Sequence, residues 1–130
     1  MLGFEPVTLT WKGVAYTVPA REQMLLIAKI EDALSGDTGQ QAMTVLFRRQ
    51  GPPHSNLAAA YGAALRHAGA RVTDAEVYLS IQTDIAEKSR DEVMATIQGA
   101  IIGLLSIISP PVARSMGALP EAGPEPEKKL

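Results

Sequence analysis

Residues 89–111, SRDEVMATIQGAIIGLLSIISPP, form the most apolar stretch of the chain and set its reading. Ser89 followed three residues later by Glu92 is a capping box, the signature of a helix start. Val93, Ile97, Ala100, Ile101, Leu104, Leu105 and Ile108 then recur at helical spacing. Ser109-Pro110-Pro111 ends the run, because proline lacks the amide proton that a helix interior needs. The stretch therefore predicts one long apolar helix, expected at the centre of the fold. Gly99 and Gly103 lie inside it, four residues apart. In a bilayer that spacing would form a helix-association face. The continuous apolar run covers only residues 100–108, however, and a span needs about twenty. The expected reading is a buried helix whose glycines admit a close neighbour, so no membrane partner is expected.

Working outward, the N-terminal side carries a different period. Residues 7–20, VTLTWKGVAYTVPA, alternate apolar and polar on both sides of Lys12-Gly13. A two-residue type I′ turn there pairs Trp11 with Val14, Leu9 with Tyr16 and Val7 with Val18. All six side chains then share one face, since strand side chains alternate with period two. A lone hairpin is marginal in water, so this face is expected to lie as a lid on the helices.

Between these two stretches the periodicity is helical. Residues 20–34 carry Met24, Ile27 and Leu34, with Leu26, Ile30 and Ala33 beside them, and predict a helix. A weaker segment follows over residues 40–48, broken by Gly51-Pro52-Pro53. Leu57, Ala60, Tyr61, Ala64, Leu65 and Ala68 define an Ala-rich helix, with Ser55 or Asn56 as its cap and Gly69 as its stop. It is the neighbour expected at Gly99 and Gly103. Thr73 with Glu76 is a second capping box, opening a helix that carries Val77, Ile81 and Ile85. The fold class is therefore mainly α, a two-stranded hairpin packed on a bundle of four to five helices. The domain is expected over residues 1–115. Residues 116–130 are rich in Pro, Gly and Glu, and predict a disordered tail.

Composition removes several kinds of chemistry. The chain has no cysteine, so thiolate metal sites and thiol nucleophiles are excluded. A formal charge of −2 lacks the basic excess of a nucleic-acid binder. The N-terminus has no basic start and no continuous apolar run, so no signal peptide is expected. Two histidines are too few for a metal site of three or four convergent ligands. His67 falls in the last turn of its helix, where positive charge suits the helix dipole. His54 and Ser55 are adjacent without the strand-turn-helix elbow a serine nucleophile needs. Glu31-Asp32 and Asp91-Glu92 are neighbours that point apart on a helix, so neither forms a catalytic dyad. No catalytic, cofactor-binding or metal-binding residue is assigned, and no enzyme activity is expected. Charge is uneven: Arg48, Arg49, Arg66 and Arg71 lie mid-chain, while Asp74, Glu76, Asp84, Glu87, Asp91 and Glu92 follow. That division suits a charged partner or self-association.

Taken in order, VTLTWKGVAYTVPAREQMLLIAKIEDAL, LAAAYGAALRHAGARVTDAEVYLSI and IQGAIIGLLSIISPP give the chain a recognisable layout. A hairpin runs into a helix, an Ala-rich helix stops at Gly before a Thr-capped acidic helix, and an apolar helix closes the series. The series resembles the tail assembly chaperones of long-tailed bacteriophages and of related prophages, including gene-transfer-agent-like relatives, over roughly residues 4–113. The resemblance implies a non-enzymatic protein of the host bacterial cytoplasm, absent from the mature virion. It implies binding to the tape measure protein and recruitment of tail tube subunits, with no cofactor. Many such proteins have a longer form made by ribosomal frameshifting. The alternative is a structural tail or head-tail connector subunit that forms a homo-oligomeric ring. The surfaces expected to bind a partner are Met24 and Leu25 near the start of the first helix, and Leu104, Leu105 and Ile108 near the end of the last.

Overall fold

The computed structural model describes residues 3–117, and of the tail expected over residues 116–130 all but Met116 and Gly117 lies outside them. The chain is mainly helical behind an N-terminal hairpin. Strands β1 (Val7–Trp11) and β2 (Val14–Val18) pair antiparallel in the expected register, with Leu9 opposite Tyr16. Lys12 and Gly13 both adopt positive φ, as a type I′ turn requires. Val7, Leu9 and Val18 are buried, Trp11 and Tyr16 half-buried, and Val14 exposed. The shared face is thus seated at its open end and overhangs at the turn. On the other face the Thr8 and Thr17 hydroxyls lie 3.1 Å apart.

After Pro19 a single 3₁₀ turn, Ala20–Glu22, leads into α1 (Gln23–Ser35). Its buried positions are Gln23, Leu26, Ile30 and Leu34, with Ile27 and Ala33 beside them. Met24, expected within this stripe, stands outside it, because the burial phase begins one residue earlier, at Gln23. The weak central segment shortens to α2 (Ala42–Leu46). Helix α3 (His54–His67) starts directly after Pro53, with no side-chain cap. Neither Ser55 nor Asn56 caps it. Asn56 instead donates its amide to the carbonyls of Ala33 and Leu34, at 3.1 and 3.2 Å, and so closes the open end of α1. Gly36 makes room there, since a Cβ on it would collide with the Asn56 amide.

The Gly69 stop is a Schellman motif: Gly69 N–H donates to Arg66 O at 3.1 Å, and Ala70 N–H to Leu65 O at 2.9 Å. Both expected capping boxes form. Thr73 opens α4 (Asp74–Glu87) and Ser89 opens α5 (Arg90–Ile108). The Pro110-Pro111 pair ends α5, as expected, and also begins a sixth helix, α6 (Pro110–Ser115), which the sequence pattern does not predict. Proline suits the first turn of a helix, where its missing N–H has no intrahelical partner anyway.

Leu9, Leu26, Ile30, Leu34, Leu57, Leu65, Leu104, Leu105 and Ile107 form the centre of the core. The hairpin meets α5 at one point of close approach. A Cβ on Gly103 would stand 2.9 Å from Leu9 Cδ2 and 3.8 Å from Tyr61 Cε1. The neighbour that needs this glycine is therefore the hairpin, with the Ala-rich helix contributing only the edge of Tyr61. Gly99 has no neighbour within 4 Å of the same point. The Tyr61 hydroxyl donates to Thr10 O at 3.0 Å, tying α3 to the hairpin, and burial pushes its phenol above the usual tyrosine range.

The two glycines predict opposite outcomes. Gly99→Ala gains about 0.5–1 kcal/mol, because alanine favours the helix and nothing opposes its methyl group. Gly103→Ala falls short of that gain because the buried Leu9 must shift; urea unfolding of both variants measures the difference. Tyr61→Phe costs about 1 kcal/mol at neutral pH through the lost bond to Thr10. A raised folded-state value means that the native state holds the phenolic proton more tightly. That stabilisation is full below the ordinary tyrosine range and is lost as pH rises through the raised value. Alkaline denaturation curves of the wild type show this loss, and those of Tyr61→Phe lack it.

Candidate functional site

Helix α5 has 19 residues, whereas α1 has 13 and α3 and α4 have 14 each. At 1.5 Å per residue it is about 7 Å longer than its longest neighbours. Its C-terminal half is pinned, with Leu104, Leu105 and Ile107 fully buried. Ser106, also buried, satisfies its hydroxyl by donating to Ile102 O at 2.8 Å. Along its N-terminal half, residues 90–102, no position is fully buried. The helix expected at the centre is central only at one end.

Along that half, Val93, Met94, Ile97, Gln98, Ile101, Ile102 and Leu105 follow i, i+1, i+4, i+5, i+8, i+9, i+12, a seam of the kind that packs another helix. Met94 is 51% exposed and Ile102 36%. The seam walls a groove of about 1030 Å³. The opposite wall is the end of α2 and the turn after it, with Leu46, the half-exposed Phe47, and residues 48–52. The rim carries Arg48, Arg49, Lys88 and Arg90, and no carboxylate lines the groove among the described residues. Gln40 Oε1 accepts from Arg48 at 2.7 and 3.0 Å and holds its guanidinium in place. Lys88 lies 3.5 Å from Asp84. On the far side of α5 a smaller hollow of about 580 Å³ lies between the hairpin and α4, with Thr8, Thr10, Ser80 and Asp84 making its lining more polar.

The residues expected to bind a partner separate into two groups. Met24 and Leu25 are 63% and 70% exposed, and line neither hollow. Leu104 and Leu105 are sealed in the core, and Ile108 packs against it. As an open surface the last two turns of α5 are therefore corrected: their side chains hold the helix in the domain. The exposed apolar surface of α5 lies earlier on the helix, at residues 93–102. No signal in the sequence separates the two stretches, because Met94 and Leu104 have the same apolar character and helical spacing.

The ionisable groups singled out in the sequence do not converge. His67 Nε2 lies 3.0 Å from Glu22 Oε1, joining α3 to the start of α1. His54 Nδ1 lies 3.2 Å from Gln82 Nε2. Arg66 pairs with Asp74 at 2.8 Å and donates to Val72 O at 3.1 Å, away from the groove. No cluster of three metal-ligating side chains occurs among the described residues. By length and composition α5 is apolar enough to cross a bilayer, yet its C-terminal turns complete the core and its Gly103 receives Leu9. No protein-family model, curated protein or solved structure matches the chain.

The N-terminal half of α5 starts from its cap. Ser89 N–H donates to Glu92 Oε1 at 3.1 Å, and Glu92 N–H donates to Ser89 Oγ at 3.2 Å. The Ser89 backbone and hydroxyl hold the Glu92 carboxyl below the ordinary glutamate range. Its contribution is present above that range and is lost as pH falls through the depressed value. The protection of amides in the first turns of α5, measured against their intrinsic exchange rates at each pH, therefore falls through that acidic window. In Ser89→Ala it is already low at neutral pH, and hydrogen exchange followed by NMR reads both.

Proposed function

We propose that the protein is a non-enzymatic chaperone of phage tail assembly that binds the tape measure protein and helps recruit tail tube subunits. The observation that carries this reading is the apolar seam on α5, a partly exposed helix face beside a groove of about 1030 Å³. A helix laid in such a groove presents apolar side chains at i, i+3, i+4 and i+7. A tape measure protein, long and largely helical, supplies such stripes repeatedly. The order of the elements, which resembles that of the tail assembly chaperones, adds support. The place of action on this reading is the cytoplasm of the infected bacterium, and the finished virion lacks the protein.

Magnitudes suit a coat of many copies. Met94, Ile102, Phe47 and Val93 are already partly buried, so covering them gains roughly 1 kcal/mol each. About 4 kcal/mol corresponds to millimolar affinity at best. One groove on one stripe is then easily displaced, while many grooves along one chain act together through high local concentration. Such a coat protects the tape measure and still yields to tube subunits. A structural ring subunit is the second reading, favoured by Met24 and Leu25, which form an exposed apolar patch outside the groove. Light scattering separates the two, since a ring gives a fixed high-order mass.

Co-expression with the tape measure protein encoded downstream is expected to keep that protein in the soluble fraction. Met94→Asp combined with Ile102→Asp abolishes the effect without altering the circular dichroism spectrum, because both side chains are partly exposed. Equal precipitation with and without the wild-type chain defeats the proposal.

A further inference from the structure

The rim of the α5 groove is of one sign, and this narrows what the groove can hold. Arg48 and Arg49 stand on the α2 side, and Lys88 and Arg90 at the α4–α5 turn. Among the described residues only Lys88 of the four has a carboxylate within ion-pair distance. Arg90 occupies the first position of α5, where the positive end of the helix dipole disfavours a cation. Folding of α5 gives no reason for a positive charge there. From Arg90 to Leu105 the wall runs about 22 Å, the length of four helical turns.

Resting on the reading of this groove as a helix receptor, we propose that its occupant is an amphipathic helix of about fifteen residues whose apolar stripe is bordered by Asp or Glu. The stripe covers Met94, Ile97 and Ile102. Carboxylates on the border facing α2 meet Arg48 and Arg49, and those at the end beside the start of α5 meet Lys88 and Arg90. Complementary borders set orientation and reject helices with basic flanks, which is how charge confers specificity at an interface. A second copy fits poorly, because a two-fold contact through this face sets basic rim against basic rim. A flat lipid surface fits poorly too, because the seam is walled on its other side by the turn at residues 47–52.

The test uses the full chain and three synthetic fifteen-residue helical peptides with one shared apolar stripe and flanks of Glu, Gln or Lys. In fluorescence anisotropy at low salt the Glu peptide is expected to bind about tenfold tighter than the Gln peptide, from two or three rim pairs. The Lys peptide binds weakest, and rising salt closes the gaps by screening. Arg49→Glu with Arg90→Glu balances the four rim charges and removes the preference for the Glu peptide; both side chains are exposed, and the salt series on the wild type tests the same charge pairing without any variant. Equal binding of the three peptides, binding of none, self-association through the groove, or preference for anionic vesicles over the Glu peptide overturns the proposal. Tape measure solubility reports separately: if it persists while the peptides bind alike, the charge pattern fails and the chaperone reading stands. If the Glu peptide wins while the tape measure protein precipitates, the groove chemistry stands and the chaperone reading falls.

Discussion

The contact between Leu9 and the bare backbone at Gly103 organises the molecule. A hairpin of two strands has too little surface to stand alone. Here it is held because α5 offers a site without a side chain, where Leu9 takes up space that a Cβ on residue 103 would need. Tyr61 closes the same corner from α3 with a hydrogen bond to the strand. Three parts of the chain, distant in sequence, thus meet at one glycine. Everything C-terminal to it on α5 is core, and much of what lies N-terminal is open to solvent.

From this fixed point the candidate site lies toward the N-terminus of α5. There α4 and the hairpin stand along one side of the helix, and Val93, Met94, Ile97, Ile101 and Ile102 line the groove on the other. Locally this half is well made, with a capping box at Ser89 and Glu92, so it does not rely on tertiary contacts to start. A helix that is sound in its own backbone but unfinished in its side-chain packing is suited to accept another chain.

Much of the fold is legible in the sequence because it rests on short-range rules. The hairpin register follows from Lys12-Gly13 and alternation, and both capping boxes from residues three apart. Gly69 follows from its place after the last periodic residue. What escapes depends on partners far along the chain. Asn56 has the character of an N-cap, yet its amide closes α1, which local spacing cannot reveal. Met24 has the spacing of a stripe residue, and only the packing of Gln23 and Leu26 sets the burial phase. The site is legible as an apolar helix but not as a location, because Leu104 and Met94 have the same character and differ only in what covers them. Arg48, Arg49 and Arg90 are separated in sequence, and their convergence on one rim is a product of the fold.

The hairpin holds the chain's single tryptophan, Trp11, half-buried beside the hollow behind α5, with Lys12 Nζ 5.3 Å from its ring centroid. Its emission colour is therefore an optical gauge of how the lid sits on α5. It is blind to the opposite, basic-rimmed side of that helix. A partner that merely fills the groove leaves the spectrum where it was, whereas one that levers α5 away from the strands moves it to the red.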